Sequence, residues 1–179
     1  SSDLIYCDTR LTISDPVIRK QLANGLAQNI KEFFPETELV AGTATAGIPH
    51  AAWVSDILEL PMVYVRSKAK EHGRGNQIEG KYTAGQKVVV VEDIVSTGGS
   101  SITAVEALRA AGCEVVGVVC VYTYNLPKAE QAFDAAGVKY VSLTNFDYLV
   151  EAANESGTIS QDQIPFLKEW HEKLKAGEL

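Results

Sequence analysis

Glu92 and Asp93 stand side by side after a run of four valines, Val88–Val91, with no basic residue beside them. Ser96, Thr97, Gly98, Gly99 and Ser100 follow closely and lead into a segment with helical spacing. Amide N–H groups at a helix start, together with small hydroxyls, form a cradle for phosphate. Two carboxylates ahead of such a cradle would repel the phosphate unless they bind another part of the same ligand. A sugar phosphate satisfies both groups, because the acids can accept hydrogen bonds from the 2′ and 3′ hydroxyls while the turn takes the 5′-phosphate. The pattern therefore fits a ribose 5-phosphate. The plainer use of the acids, as caps for the next helix, leaves the glycine- and hydroxyl-rich turn unexplained. No lysine follows these glycines, as a Walker A loop would need, and the GxGxxG dinucleotide fingerprint is missing as well.

A second cluster lies at residues 66–86, where Arg66, Lys68, Lys70, His72 and Arg74 occupy alternate positions. In an extended segment that spacing turns them to one side. In a chain of net charge -7 this concentration of cations suits a multiply charged anion such as pyrophosphate. Gly73, Gly75, Gly80 and Gly85 would let the segment close as a lid. Twenty-one residues without apolar periodicity form an unusually long connection, of the kind that is generally functional or disordered. A solvated hairpin is the alternative. A third candidate is "GTATAGIPHAA", 42–52, whose small residues permit close backbone approach to an anion but would equally serve a tight strand-to-helix turn.

The elements that position these residues can be read from periodicity. Strands are expected at 38–42, 61–65, 87–93, 114–124 and 138–143, as nearly continuous apolar runs. Helices are expected from Pro16, capped by Asp15 and ended by Pro35, then at 47–60, 98–112 and 127–136. Two more close the chain, the second opening with Ser160 and Gln163 as a capping box. Strands alternating with helices, and apolar on both faces, indicate a parallel sheet covered on both sides. Ligands of such sheets bind outside the carboxyl ends of the strands, where all three candidate segments fall.

Composition sets outer limits. At 179 residues, 46% hydrophobic and 22% charged, the chain is expected to form one domain, 1–179. Its acidity argues against a general nucleic-acid or membrane-surface binder. Three cysteines, Cys7, Cys113 and Cys120, lack metal-ligand spacing, and an odd count suits the reducing cytoplasm. No bilayer-spanning run or signal peptide is visible. Among the histidines, His50 is expected to pack or cap near a helix start, and His171 to lie on a solvated helical face.

"VVVVEDIVSTGGS" resembles the phosphoribosyl pyrophosphate (PRPP) motif of the type I phosphoribosyltransferases. "RSKAKEHGRGNQIEG" is similar to the mobile catalytic loop of the orotate phosphoribosyltransferases in their bacterial form, and "IYCDTR" and "GTATAGIPHAA" resemble further segments of that group. The resemblance implies a type I phosphoribosyltransferase fold: a five-stranded parallel sheet flanked by helices, with a small hood over the base site. Those chains carry more sequence before "IYCD", including a lysine-bearing segment, which implies a hood incomplete at the N-terminus here.

The implied reaction transfers the phosphoribosyl group from PRPP to orotate, with Mg²⁺ arriving on PRPP and needing few protein ligands. The implied roles place Arg66, Lys70 and His72 on the pyrophosphate with Lys68 assisting, and Glu92 and Asp93 at the ribose. Ile94, Val95, Ser96, Thr97, Gly98, Gly99 and Ser100 complete the PRPP segment, Thr97 to Ser100 at the 5′-phosphate. Ser96 is also implied at orotate, and Thr43 to Gly47 near the pyrophosphate. The implied catalytic set is Arg66, Lys70, His72 and Asp93. The implied assembly is a cytoplasmic homodimer, each loop reaching into the partner's site, with neither nucleic acid nor membrane as partner. Transfer to a purine base, and a non-catalytic PRPP-sensing regulator, remain alternatives that the PRPP motif alone does not separate.

Overall fold

The computed structural model describes residues 7–68 and 77–178. The elements run α1 (Pro16–Phe33), β1 (Leu39–Thr43), α2 (Gly47–Leu58), β2 (Met62–Val65), β3 (Ile78–Glu79), β4 (Lys87–Val95), α3 (Gly99–Ala110), β5 (Glu114–Thr123), α4 (Pro127–Ala135), β6 (Tyr140–Asn145), α5 (Phe146–Glu155) and α6 (Ile164–Ala176). Short 3-10 helices occupy Thr9–Ser14 and Gln161–Gln163. Local chemistry sets several of these boundaries. Asp15 accepts from the N–H groups of Val17 and Ile18 at 2.8 and 3.0 Å and caps α1, with Pro16 in the first turn. The capping box of Ser160 and Gln163 is formed as expected.

The sheet order is β3-β2-β1-β4-β5-β6. The five strands read from the sequence pair in parallel, and alternate valines of β4 serve opposite faces. Val89 and Val91 pack with Leu26 and Ile30 of α1 and Val54 of α2. Val88 and Val90 pack with Val105 and Leu108 of α3 and Phe133 of α4. Both faces are covered, which explains why the strands read as unbroken apolar runs.

Two expectations about the sheet are corrected. The sheet has six strands rather than five, because β3 adds an antiparallel edge through Tyr64↔Glu79 and Val65↔Ile78. Residues 66–86 are therefore not all loop: Ile78 is buried among Val63, Val65 and the adjoining core, and the Arg66 N–H donates to the Gln77 carbonyl at 2.9 Å. Second, β4 continues two residues past Asp93, as Ile94 and Val95 pair with Tyr122 and Thr123.

β1 lies between β2 and β4, so its two neighbours are reached by crossovers in opposite directions. Such a reversal opens a crevice at the carboxyl ends of the strands, here between β1 and β4. A smaller cluster flanks that end, made by Tyr122 with Phe146 and Val150 of α5 and Leu167 of α6, and Cys7 and Ile94 pack against it. His171 belongs here too: it is 2% exposed, stacks on Phe146 at 4.0 Å and donates from Nε2 to the Tyr124 carbonyl at 2.6 Å. The expected solvated position is therefore wrong, since this histidine ties α6 to the sheet.

Candidate active site

Parallel pairing sets Gly42 opposite Val91, so the next residues, Thr43 and Glu92, meet at the crevice. Successive side chains of a strand point to opposite faces. Glu92 accordingly turns toward α3 and Asp93 away from it. The Glu92 carboxylate is 4% exposed and accepts four hydrogen bonds. Oε1 takes the Thr43 hydroxyl at 2.6 Å and the Asp93 N–H at 3.1 Å; Oε2 takes the hydroxyls of Ser100 at 2.8 Å and Ser101 at 3.2 Å. Gly47 keeps this arrangement possible, because a Cβ there would overlap the Thr43 hydroxyl and the Val91 carbonyl oxygen. Burial pushes the Glu92 carboxyl up to about 7; the Thr43 and Ser100 hydrogen bonds oppose the rise and Asp93 adds to it. Glu92 thus joins the ends of β1, β4 and α3.

Asp93 is half-buried and accepts, through Oδ2, from the hydroxyl of Thr9 at 2.9 Å. Thr9 opens the first 3-10 helix, which Asp8 caps by accepting from the Arg10 N–H at 3.2 Å. That helix forms one wall of a cavity of about 520 Å³, through Arg10 and Ile13. Ala44–Ala46, Pro49, Glu92, Asp93, Ile94 and Ser100 form the rest of its lining. A smaller cavity of about 180 Å³ adjoins it, lined by Thr43, Val65, Arg66, Ser67, Gly99 and Thr103 and sharing Ala44 and Ser100 with the larger. Arg66 pairs with Glu79 of β3 at 3.4 Å. The peptide between Ala44 and Thr45 is cis. Gly98, at φ 81°, makes the turn into α3, whose first amides have no partner within the helix and face the crevice end of the sheet.

The structure brings together Arg66, Glu92, Asp93, Ile94, Gly99 and Ser100 along the two cavities. Lys68 is exposed, and Lys70 and His72 lie outside the described residues. The Val95 side chain is 1% exposed in the core, which leaves only its backbone for a ligand. Ser96 and Thr97 are exposed and line neither cavity. Glu92 differs from expectation in aim rather than place, since its oxygens are engaged by protein donors. Thr9, Arg10 and Ser101 went unassigned by sequence reasoning. Strand alternation was the available signal for Ser101, because it sends Glu92 toward the hydroxyls that open α3.

The sequence profile of the phosphoribosyl transferase domain matches residues 12–149, which span β1 to β6 and the lining of both cavities apart from Arg10. The chain belongs to the phosphoribosyltransferase family. Among curated phosphoribosyltransferases, the orotate phosphoribosyltransferase of Listeria monocytogenes serotype 4b (strain F2365) is 59% identical over 166 residues, 93% of this chain and 79% of its own length. That of Bacillus subtilis (strain 168) is 58% identical over 93% of this chain and 77% of its own. Among solved structures, the orotate phosphoribosyltransferase of Aeropyrum pernix superposes with a TM-score of 0.75 at 30% identity, covering 83% of each chain. The Mycobacterium tuberculosis H37Rv orotate phosphoribosyltransferase in complex with PRPP superposes at 0.63, with 28% identity over 78% of this chain and 80% of that one. The type I fold expected from the sequence is thereby established, with the added edge strand.

Proposed function

We infer that this phosphoribosyltransferase is a pentosyltransferase acting on orotate: it transfers the 5-phosphoribosyl group of PRPP to orotate and yields orotidine 5′-monophosphate and pyrophosphate, a step of pyrimidine synthesis. The acceptor is supported by relatives of 58–59% identity that carry that activity in their names. The observation that carries the chemistry is the junction of the two cavities at Ser100, between the carboxylates of β4 and the amides that open α3.

In this reading the 5′-phosphate sits on the turn from Thr97 to Ser100, the ribose lies by Asp93, Ser96 serves orotate, and the diphosphate extends toward Arg66 and the 43–47 segment. The segment between Arg66 and β3 adds Lys68, Lys70 and His72. The Ser100 hydroxyl has a single proton. Given to the phosphate, it leaves Glu92 Oε2 with room for a ribose hydroxyl. As the bond from C1 to pyrophosphate lengthens, positive charge develops on the ribose and negative charge on the leaving group. Asp93 lies beside the first, and the cations of the lid stabilise the second where water is excluded. The orotate nitrogen supplies the electron pair for the new bond, so no side-chain nucleophile is needed.

Both Glu92 oxygens are engaged, Asp93 accepts through one of its two, and among the described residues no group of three or more His, Cys, Asp or Glu is placed to hold a metal. This donor set fits Mg²⁺ carried in on PRPP with water completing its shell, and the ion would supply charge neutralisation at the diphosphate. A homodimer that shares the lid completes the proposal. Among the described residues no helix is long and apolar enough to cross a membrane. The proposed compartment is the cytoplasm, in keeping with three free cysteines.

The test is pyrophosphate release from PRPP and Mg²⁺ with orotate, uracil, hypoxanthine and adenine in parallel. Release with orotate and not with the purines is expected. Release with a purine and none with orotate would overturn the assignment.

A further inference from the structure

We propose that Arg10 receives the carboxylate of the acceptor base and so selects orotate over neutral pyrimidines, a reading that rests on orotate being the acceptor. The two cavities divide a long ligand between them. The smaller carries Arg66 and the start of α3, which suits the phosphate-bearing end. Asp93 and Glu92 stand along the larger one, next to the shared Ser100, where the ribose joins the two spaces. What remains of the larger cavity, bounded by Arg10, Ile13 and Pro49, is the space left for the base.

That space is electrostatically wrong for an anionic base without help. Its described lining contains two carboxyl groups and one cation, Arg10. Orotate differs from uracil by a carboxylate, and bringing that charge beside Glu92 and Asp93 requires a compensating partner. A guanidinium supplies it with the right geometry, since its fork matches a carboxylate bidentately and it stays charged at any working pH.

The backbone that carries Arg10 is also held at a set place relative to Asp93. Its neighbour Thr9 is 5% exposed and donates to Asp93 Oδ2 at 2.9 Å, and Thr12 donates to the Thr9 carbonyl at 2.5 Å. Asp93 and the helix that carries Arg10 are therefore joined by a hydrogen bond, although Thr9 and Asp93 are 84 residues apart. Asp8 lies 3.5 Å from Arg10 Nε, in a pair exposed 61% on the arginine and 39% on the aspartate. An exposed pair of that kind contributes little to stability. "IYCDTR" thus carries a specificity function of its own, distinct from the PRPP segment.

The test compares orotate with orotamide, which keeps the shape and removes the charge, in the intact protein and in Arg10→Gln. The intact protein is expected to favour orotate by about 30- to 100-fold in kcat/KM, the usual range for losing a charge-assisted hydrogen-bonded pair. In Arg10→Gln that preference should fall at least about tenfold, while the Kd for PRPP in magnesium buffer, measured by calorimetry, stays within about twofold. Arg10→Lys, which keeps charge but loses the fork, should lie between and serves if the glutamine variant does not fold. An undiminished orotate preference in Arg10→Gln, or in Arg10→Lys if only that variant folds, overturns the proposal; so does an equal loss on both substrates. Absence of orotate transfer by the unsubstituted protein removes the underlying reading instead, and that result is visible before any variant is made.

Discussion

Replacing Glu92 by glutamine tests the hub at the centre of the site through its proton. The carboxyl is 4% exposed, and burial raises its pKa from the ordinary 4.5 to about 7 in the folded chain. A raised acid favours the folded state while protonated. The stabilisation is full below 4.5, where both states hold the proton, and is lost as pH rises through about 7. At 1.36 kcal/mol per pH unit, the interval corresponds to about 3 kcal/mol between pH 4.5 and pH 8. Glutamine has nearly the shape of the protonated acid and does not titrate. The stability of the unsubstituted protein minus that of Glu92→Gln should therefore fall by about 3 kcal/mol over this range, most of it between pH 5 and 7. Urea unfolding at four pH values reads it directly: with an m-value of about 2 kcal/mol/M the two midpoints should move relative to each other by about 1.5 M. Equal m-values are required for the comparison. A separation of midpoints that holds constant from pH 5 to pH 8 would refute the account of Glu92 as a buried, proton-binding hub.

Other perturbations probe the neighbourhood and the assembly. Gly47→Ala should displace Thr43 from Glu92, cost about 1–3 kcal/mol in urea unfolding and sharply reduce kcat; an active, equally stable variant would contradict the close contact. His50 is buried against Trp53 at 5.6 Å, neither ring nitrogen has a partner among the described residues, and burial lowers its pKa below the ordinary 6.5. Folding then loses stability as pH falls below 6.5, where the unfolded chain takes a proton that the folded chain resists. His50→Leu should accordingly gain on the unsubstituted protein between pH 7 and pH 5 in the same unfolding assay, and an equal difference at both values would count against burial as the cause. Mixing Lys70→Ala with Asp93→Ala chains should recover up to about a quarter of full activity, from random assortment into dimers with one intact site in each mixed pair. No recovery, with subunit exchange demonstrated, would argue against a lid shared across the dimer.

The five parallel strands were legible because burial on both faces leaves an apolar residue at nearly every position, as in Val88–Val91. β3 was not, since it has two residues and only Ile78 is buried, too short for any period to register. The extension of β4 was hidden by its own chemistry, because acids, hydroxyls and glycines around Ile94 and Val95 read as the end of a strand. His171 could have been placed: it lies four residues after Leu167, so the two share a helical face, and that face is buried. The candidate site was legible as a set of segments and illegible as a geometry. Glu92 and Asp93 read as equivalent acids until strand alternation separates them, and nothing in the sequence joins Thr9 to Asp93.

In the proposed complex PRPP spans the two cavities, with its sugar at Asp93. Calorimetric titration of PRPP into the protein in magnesium buffer, beside Asp93→Asn, tests it most directly. One saturable site per chain is expected, weakened at least about tenfold in the variant as a charge-assisted contact is lost. No binding heat at temperatures on either side of 25 °C, or equal affinity in both proteins, would contradict it.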